Sequence, residues 1–371
     1  MRFRLWVIGL ASVLLTAFYH KTDSPRGSWA RGCDISWLSE MEHDGVAFYD
    51  EDGASRDCMD LLREQGMNAV RLRVWVNHAT GWSNLPDMLA LAKRAAKRGQ
   101  RIMVDIHYSD FFADPHSQAT PAYWQSYDYD LMLEAVQEYT LFVLYALKEE
   151  GIKPEWVQIG NETPNGMLWP IGKLSPNADG TTGSDEEWTR YAGLTAMGYK
   201  AAKEAFDDIN VIVHVDNAYE YRDWFWRQMR AHGGKWDMIG LSHYPMMAAW
   251  SGKCWQEMNE LAEKNVKQLI DEFHTPVMIC EVGMMNYGTG ALYEQVSTLS
   301  DSVMTDFVQR MERIDGCAGI FYWEPEVYGG WRPQEYIPLG WGGYDMGAFT
   351  PEGRPAPALK TLLKSGKERK L

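Results

Sequence analysis

Positive charge is scarce in this sequence: 36 Lys and Arg stand against 51 Asp and Glu, a formal net charge of -15. Neutralising nucleic-acid phosphates takes a basic surface, so the balance argues against a nucleic-acid partner. It would also repel a polyanionic substrate such as polygalacturonate, whereas a neutral polymer is compatible. Cysteine is sparse as well. Cys33, Cys58, Cys254, Cys280 and Cys317 are an odd number, so one must stay unpaired, and the absence of any Cys-x-x-Cys argues against a zinc ribbon or a thioredoxin-like site. A disulfide is compatible with an oxidising compartment, but the spacing assigns none. There is no internal repeat, no low-complexity tract and no linker rich in Pro, Gly or Ser. No protein partner can be read from the chain.

Apolar and aromatic residues are abundant. Hydrophobic residues make up 46% of the 371, enough for a large core, and the 17 Trp and 19 Tyr have flat faces that suit sugar rings as well as packing. Arg2 and Arg4 precede an apolar stretch at 5–18, which fits the h-region of an export signal and is short for a membrane span. Residues 1–22 are therefore expected to be a signal peptide or N-terminal anchor, with the cleavage site open, and the protein exported: secreted, periplasmic or at the cell surface. Cys33 lies too far beyond the apolar run to be a lipoprotein cysteine.

From residue 31 to 371 a single domain is expected. Short β-rich runs at 33–37, 69–76, 101–107, 156–162, 211–216, 238–244, 277–282 and 319–323 alternate with helical patterns, among them 85–98, 131–149, 186–206 and 257–273. Eight such strands with intervening helices predict an α/β fold, a (β/α)8 or TIM barrel, whose site belongs at the C-terminal ends of the strands.

Polar residues collect at those ends. Strand two carries Arg71, Arg73 and Trp75 at one parity. Strand three ends in Asp105 and His107, followed by Asp110, and strand four ends in Asn161-Glu162. His214, Asp216 and Asn217 follow on strand five, Ser242-His243-Tyr244 on strand six, Glu281 on strand seven and Trp323-Glu324 on strand eight. Asp110 and Glu324 read as charges that solvate the barrel rim. Glu162 and Glu281 do not, because each shares its parity with small or apolar neighbours, Gly160 and Ile279, which aims it inward. Two carboxylates across a barrel mouth are the minimum equipment for glycoside hydrolysis, one holding a proton for the leaving oxygen and one acting on the anomeric carbon. Arg71 could keep one ionised and Tyr244 hydrogen-bond it, splitting the two pKa values.

Several blocks then resemble, in order, the arabinogalactan endo-β-1,4-galactanases of glycoside hydrolase family 53. They include Gly32-Cys33-Asp34-Ile35-Ser36-Trp37, Val70-Arg71-Leu72-Arg73-Val74-Trp75, Asp105-Ile106-His107-Tyr108-Ser109-Asp110, Ile159-Gly160-Asn161-Glu162 and Phe321-Tyr322-Trp323-Glu324-Pro325. The resemblance implies a retaining mechanism on β-1,4-galactan, with Glu162 as acid/base and Glu281 as nucleophile. It implies that Asn161 holds the 2-hydroxyl, that Trp323 forms a platform under the sugar, that Arg71 and Tyr244 flank the nucleophile, and that His107 and Asp110 line the cleft. No cofactor is expected. Some bacterial members bind calcium after strand eight, but the acidic groups at 326–345 show no alignable ligand pattern. The chain departs from the family at Glu281-Val282-Gly283-Met284-Met285 and at Ser242-His243-Tyr244, so another neutral β-1,4-glycan is the alternative substrate. Two further readings are a metal-dependent hydrolase using Asp105, His107, His214, Asp216 and His243, which lacks an HxH on the first strand, and a non-catalytic glycan-binding protein, disfavoured by the presence of both glutamates.

Overall fold

The computed structural model describes residues 28–247, 251–342 and 344–364, so the predicted leader at 1–22 lies outside the described residues. Eight parallel strands close into a barrel: β1 (Ala30–Asp34), β2 (Ala69–Val74), β3 (Arg101–Ile106), β4 (Trp156–Ile159), β5 (Asn210–Val215), β6 (Met238–His243), β7 (Val277–Val282) and β8 (Cys317–Trp323), with β8 pairing back onto β1. The helices used below are α1 (Leu38–His43), α2 (Leu85–Lys97), α3 (Tyr129–Glu149), α4 (Asp185–Ala205) and α5 (Trp255–Phe273). This is the expected (β/α)8 barrel.

Local chemistry sets the element boundaries. Helix α2 begins where the Asn84 side chain accepts the Asp87 N–H, and α4 begins with a capping box between Ser184 and Glu187. Strand β1 runs three residues earlier than the 33–37 expected from its pattern. The Asp34 carboxylate takes both the backbone N–H and the hydroxyl of Ser36, at 3.1 and 2.6 Å, which turns the chain out of the ladder and toward α1. The other strands fall within the predicted runs or extend them by up to two residues; β2, β3, β4, β5 and β6 stop one to three residues short of their predicted ends.

Inside the barrel, Met103, Trp156, Ile212, Met238, Met278 and Phe321 form an apolar floor. Each such side chain removed from water contributes about 1.5–3 kcal/mol. Gly32 is required there, since a Cβ on it would stand 2.1 Å from the Phe321 ring. Above the floor the inward positions become polar, and the site begins.

Candidate active site

Glu162 and Glu281 reach the same cleft by two different backbone devices. Strand β4 ends at Ile159, and Gly160 (φ 79°) and Glu162 (φ 43°) then take left-handed conformations that turn the carboxylate over the barrel mouth. Glu281 corrects the parity argument. Ile279 packs outward against the helices and Cys280 inward on the floor, so simple alternation would send Glu281 outward. The register with β6 slips at this point, Leu241 facing Ile279 and Ser242 facing Glu281. That bulge puts Cys280 and Glu281 on the same side.

Arg71, 1% exposed, organises the base of the site. Its Nη1 lies 2.7 Å from Asp34 Oδ2, and its Nη2 lies 2.8 Å from Asp105 Oδ2 and 2.9 Å from Glu281 Oε1. Nη2 also donates to Asn161 Oδ1 at 2.8 Å, and Gln158 Oε1 accepts from Nε and Nη2. Burial alone would lift Asp105, but Arg71 and His107 outweigh it and hold the carboxyl below its usual range. The Ala113 N–H donates to His107 Nδ1 at 3.1 Å, which leaves the ring proton on Nε2 to donate to Asp105 at 2.8 Å. Asn161 is pinned through its other end, where Nδ2 donates to Ala113 O at 2.8 Å.

The two glutamates differ electrostatically. Burial, then Glu281 and Asp216, raise the Glu162 carboxyl well above its ordinary value, with Ser242 as the hydrogen-bond donor that pulls the other way. Burial also raises Glu281, but Arg71 opposes it, as does the Tyr244 hydroxyl donating to Oε2 at 2.7 Å. The surroundings therefore favour the charged form of Glu281 over that of Glu162.

A loop of hydrogen bonds supports Glu162. Two donors, Gln158 Nε2 at 3.0 Å and the Glu162 N–H at 3.3 Å, converge on His214 Nδ1, against one acceptor, Asn161 Oδ1 at 3.0 Å. That majority assigns the proton to Nε2, which lies 2.9 Å from Ser242 Oγ. The Ser242 hydroxyl is then free to donate to the Glu162 carboxylate. Burial and Arg71 keep His214 uncharged. Sequence reasoning gives Ser242 and Gln158 no role, although both are polar residues at the inward parity of barrel strands.

Two connected hollows meet at Glu162. One, of about 170 Å³, is lined by Trp323, Tyr344 and Met346 together with Arg71, Asn161, Tyr244 and Glu281. The other, of about 680 Å³, is lined by Asp114, His116, Asp216, Asn217 and Tyr219. Trp323 is held edge-on by Tyr244 at 6.1 Å and Phe112 at 6.4 Å. His107 lines the smaller hollow, but Asp110 lies away from it and accepts the Ala122 N–H at 2.8 Å. Glu324 is not a rim charge. It is 2% exposed and accepts from Trp37 Nε1 at 2.6 Å and Trp341 Nε1 at 3.2 Å, with Arg73 at 3.1 Å. Burial raises it to about 8 despite Arg73.

The residues of the metal reading do not converge as ligands on one point. His243 faces outward, bonded to Asn259 Oδ1 at 2.9 Å and stacked on Phe307, while His107 and His214 are committed as above. Among the described residues no group of three or more His, Cys, Asp or Glu is arranged to hold a metal ion. The five cysteines are unbonded.

Residues 30–362 match the model of glycosyl hydrolase family 53. An uncharacterized protein of Niallia circulans, from the bgaB 5′ region, is 31% identical over 91% of this chain and 94% of its own. A probable arabinogalactan endo-β-1,4-galactanase A of Aspergillus terreus is 31% identical over 80% of this chain and 85% of its own. A solved fungal β-1,4-galactanase superposes with a TM-score of 0.75 at 26% identity, covering 90% of this chain and 98% of that one.

Proposed function

The chain belongs to glycosyl hydrolase family 53, and from that premise we propose that it is an endo-acting, retaining β-1,4-galactanase using Glu281 as nucleophile and Glu162 as acid/base. The observation that carries this reading is the unequal pair: two carboxylates in one cleft, one beside Arg71 and Tyr244, the other raised further by burial.

In the first step Glu281 attacks the anomeric carbon as the glycosidic bond breaks, and Glu162 gives its proton to the departing oxygen. The sugar is then esterified to Glu281, and Glu162, now ionised, takes a proton from water as the water attacks the same carbon. Two inversions leave the β configuration intact. Arg71 favours the ionised form of Glu281, and in this reading the free N–H of Asn161 Nδ2 meets the 2-hydroxyl while Trp323 lies under the ring. His107 braces Asp105 and, through it, Arg71. We assign Asp110 to loop support, since its carboxylate caps the Ala122 N–H. The reaction needs no cofactor, and the leader at 1–22 would export the enzyme toward extracellular polysaccharide.

The test is a screen of galactan, mannan, xylan and β-glucan, with proton NMR of the first product. The expected result is preferential cleavage of galactan with release of the β anomer. Initial α anomer would refute retention, and preference for another polymer would move the substrate to that glycan.

A further inference from the structure

On the outer wall of the barrel, far from the glutamates, α3 carries an apolar face that no element of the described residues covers. Phe142, in the middle of α3, is 59% exposed, and Leu131, in its first turn, is 46% exposed. With Trp124, Tyr139 and Tyr145 they line a groove of about 780 Å³. Leu131, Glu138, Phe142, Tyr145 and Glu149 follow one another at helical spacing, so the groove runs along most of α3, roughly 27 Å at 1.5 Å per residue.

Its rings are held in place. Trp124 meets Tyr139 edge-on at 5.9 Å, Phe142 lies 6.3 Å from Tyr139, and the Tyr139 hydroxyl is tied to Trp75 O at 2.7 Å. One chain segment contributes to both the groove and the cleft. The loop that places Phe112, Ala113 and Asp114 in the cleft continues to Trp124 at the head of the groove, and the Asp110–Ala122 bond joins its two ends.

The edges select the occupant. Glu134, Glu138 and Glu149 flank the rings. A second copy of this chain would bring its own carboxylates against them, on a protein of net charge -15, and an anionic lipid surface would be repelled likewise. An uncharged polyhydroxyl chain suits both features, its CH faces stacking on Phe142 and Tyr145 and its hydroxyls donating to the carboxylates. We propose that this groove is a second carbohydrate-binding site, which holds a neutral polysaccharide chain outside the cleft. The class of polymer rests on the hydrolase reading above; the location does not.

The experiment compares electrophoretic retention in gels containing galactan, mannan, xylan or β-glucan. The chain carrying Glu281→Ala, which spares the polymer, is run with and without Phe142→Ser and Tyr145→Ser, and Glu138→Ala serves as an independent variant. Retention by the polymer that the active enzyme hydrolyses should weaken about fivefold or more with the paired serines. Turnover of an aryl β-galactoside by the same serine variant with Glu281 intact should stay within about twofold, which also reports correct folding. If the cleft prefers a polymer other than galactan, the galactanase reading falls and the groove is judged on that polymer. Unchanged retention by the hydrolysed polymer overturns the proposal, as does a serine-induced fall in the mass of the particle in solution, which would make the groove an interface between copies. If no neutral polymer is either retained or hydrolysed, both readings fail together.

Discussion

Nη2 of Arg71 lies 2.9 Å from Oε1 of Glu281, and the same nitrogen lies 2.8 Å from Asp105. One buried guanidinium thus holds the carboxylate proposed as nucleophile and a neighbouring carboxylate together, while Glu162 is raised by burial and by nearby anions without a cation of its own among the causes of its shift. The division of labour proposed for the two glutamates follows from this asymmetry.

Replacing Glu281 by Ala removes the atom that would bond to the anomeric carbon. Turnover of galactan should fall to background, and added azide should restore part of it by entering the vacated space, giving an α-linked sugar azide identifiable by NMR. A Glu281→Ala enzyme that keeps full activity would falsify the nucleophile assignment.

Glu162→Gln leaves the shape of the site and removes its proton donor. Hydrolysis of polymer, whose leaving alcohol needs protonation, should slow by about 10²–10⁴-fold. Aryl galactosides with acidic leaving groups should be affected far less in the first step. Equal losses on both substrates would point to a structural defect rather than to a missing acid.

Two hydroxyls should move opposite limbs of the pH profile. Tyr244 donates to Glu281 and stabilises its charged form, so Tyr244→Phe should raise the pKa of Glu281 and shift the acidic limb to higher pH. A lost hydrogen bond to a charged group, about 1.5–3 kcal/mol, corresponds to roughly a 10- to 150-fold loss in kcat/KM. Ser242 lowers Glu162 in the same manner, so Ser242→Ala should move the alkaline limb upward. Profiles that keep both limbs in place while only the amplitude falls would show that neither hydroxyl tunes its glutamate.

Glu324 gives a stability prediction. Its folded-state value of about 8 exceeds the ordinary glutamate value, so the folded protein binds a proton that the unfolded chain has released. This contribution is fully present below about pH 4.5 and is lost as pH rises through 8. Glu40, raised to about 7 by burial although Tyr336 donates to it, adds a smaller term of the same sign. Tm measured by calorimetry should therefore decline from pH 5 to 8, and Glu324→Gln should flatten the decline. A variant that keeps the full slope would place its origin elsewhere.

The amino-acid sequence determined the eight strands, their alternation with helices and the gathering of polar residues at strand ends, because strand and helix periodicities are local properties that survive without tertiary context. It also singled out Arg71, Asn161, Tyr244 and Trp323, all of which line the smaller hollow. Tertiary structure decided the rest. The bulge at Cys280-Glu281 depends on how β7 registers against its neighbours, so alternation within β7 alone gave the wrong reason for an inward Glu281. Glu324 followed a strand end and looked like a rim charge, but the Trp37 and Trp341 that enclose it are brought from α1's approach and from the segment after β8. Ser242 and His214 stand on adjacent strands, and the pairing of β4, β5 and β6 across their intervening helices brings both beneath Glu162. The periodicity of a regular strand or helix is written in local pattern; where a bulge breaks it, and which partners meet a side chain, depends on contacts between segments distant in the chain.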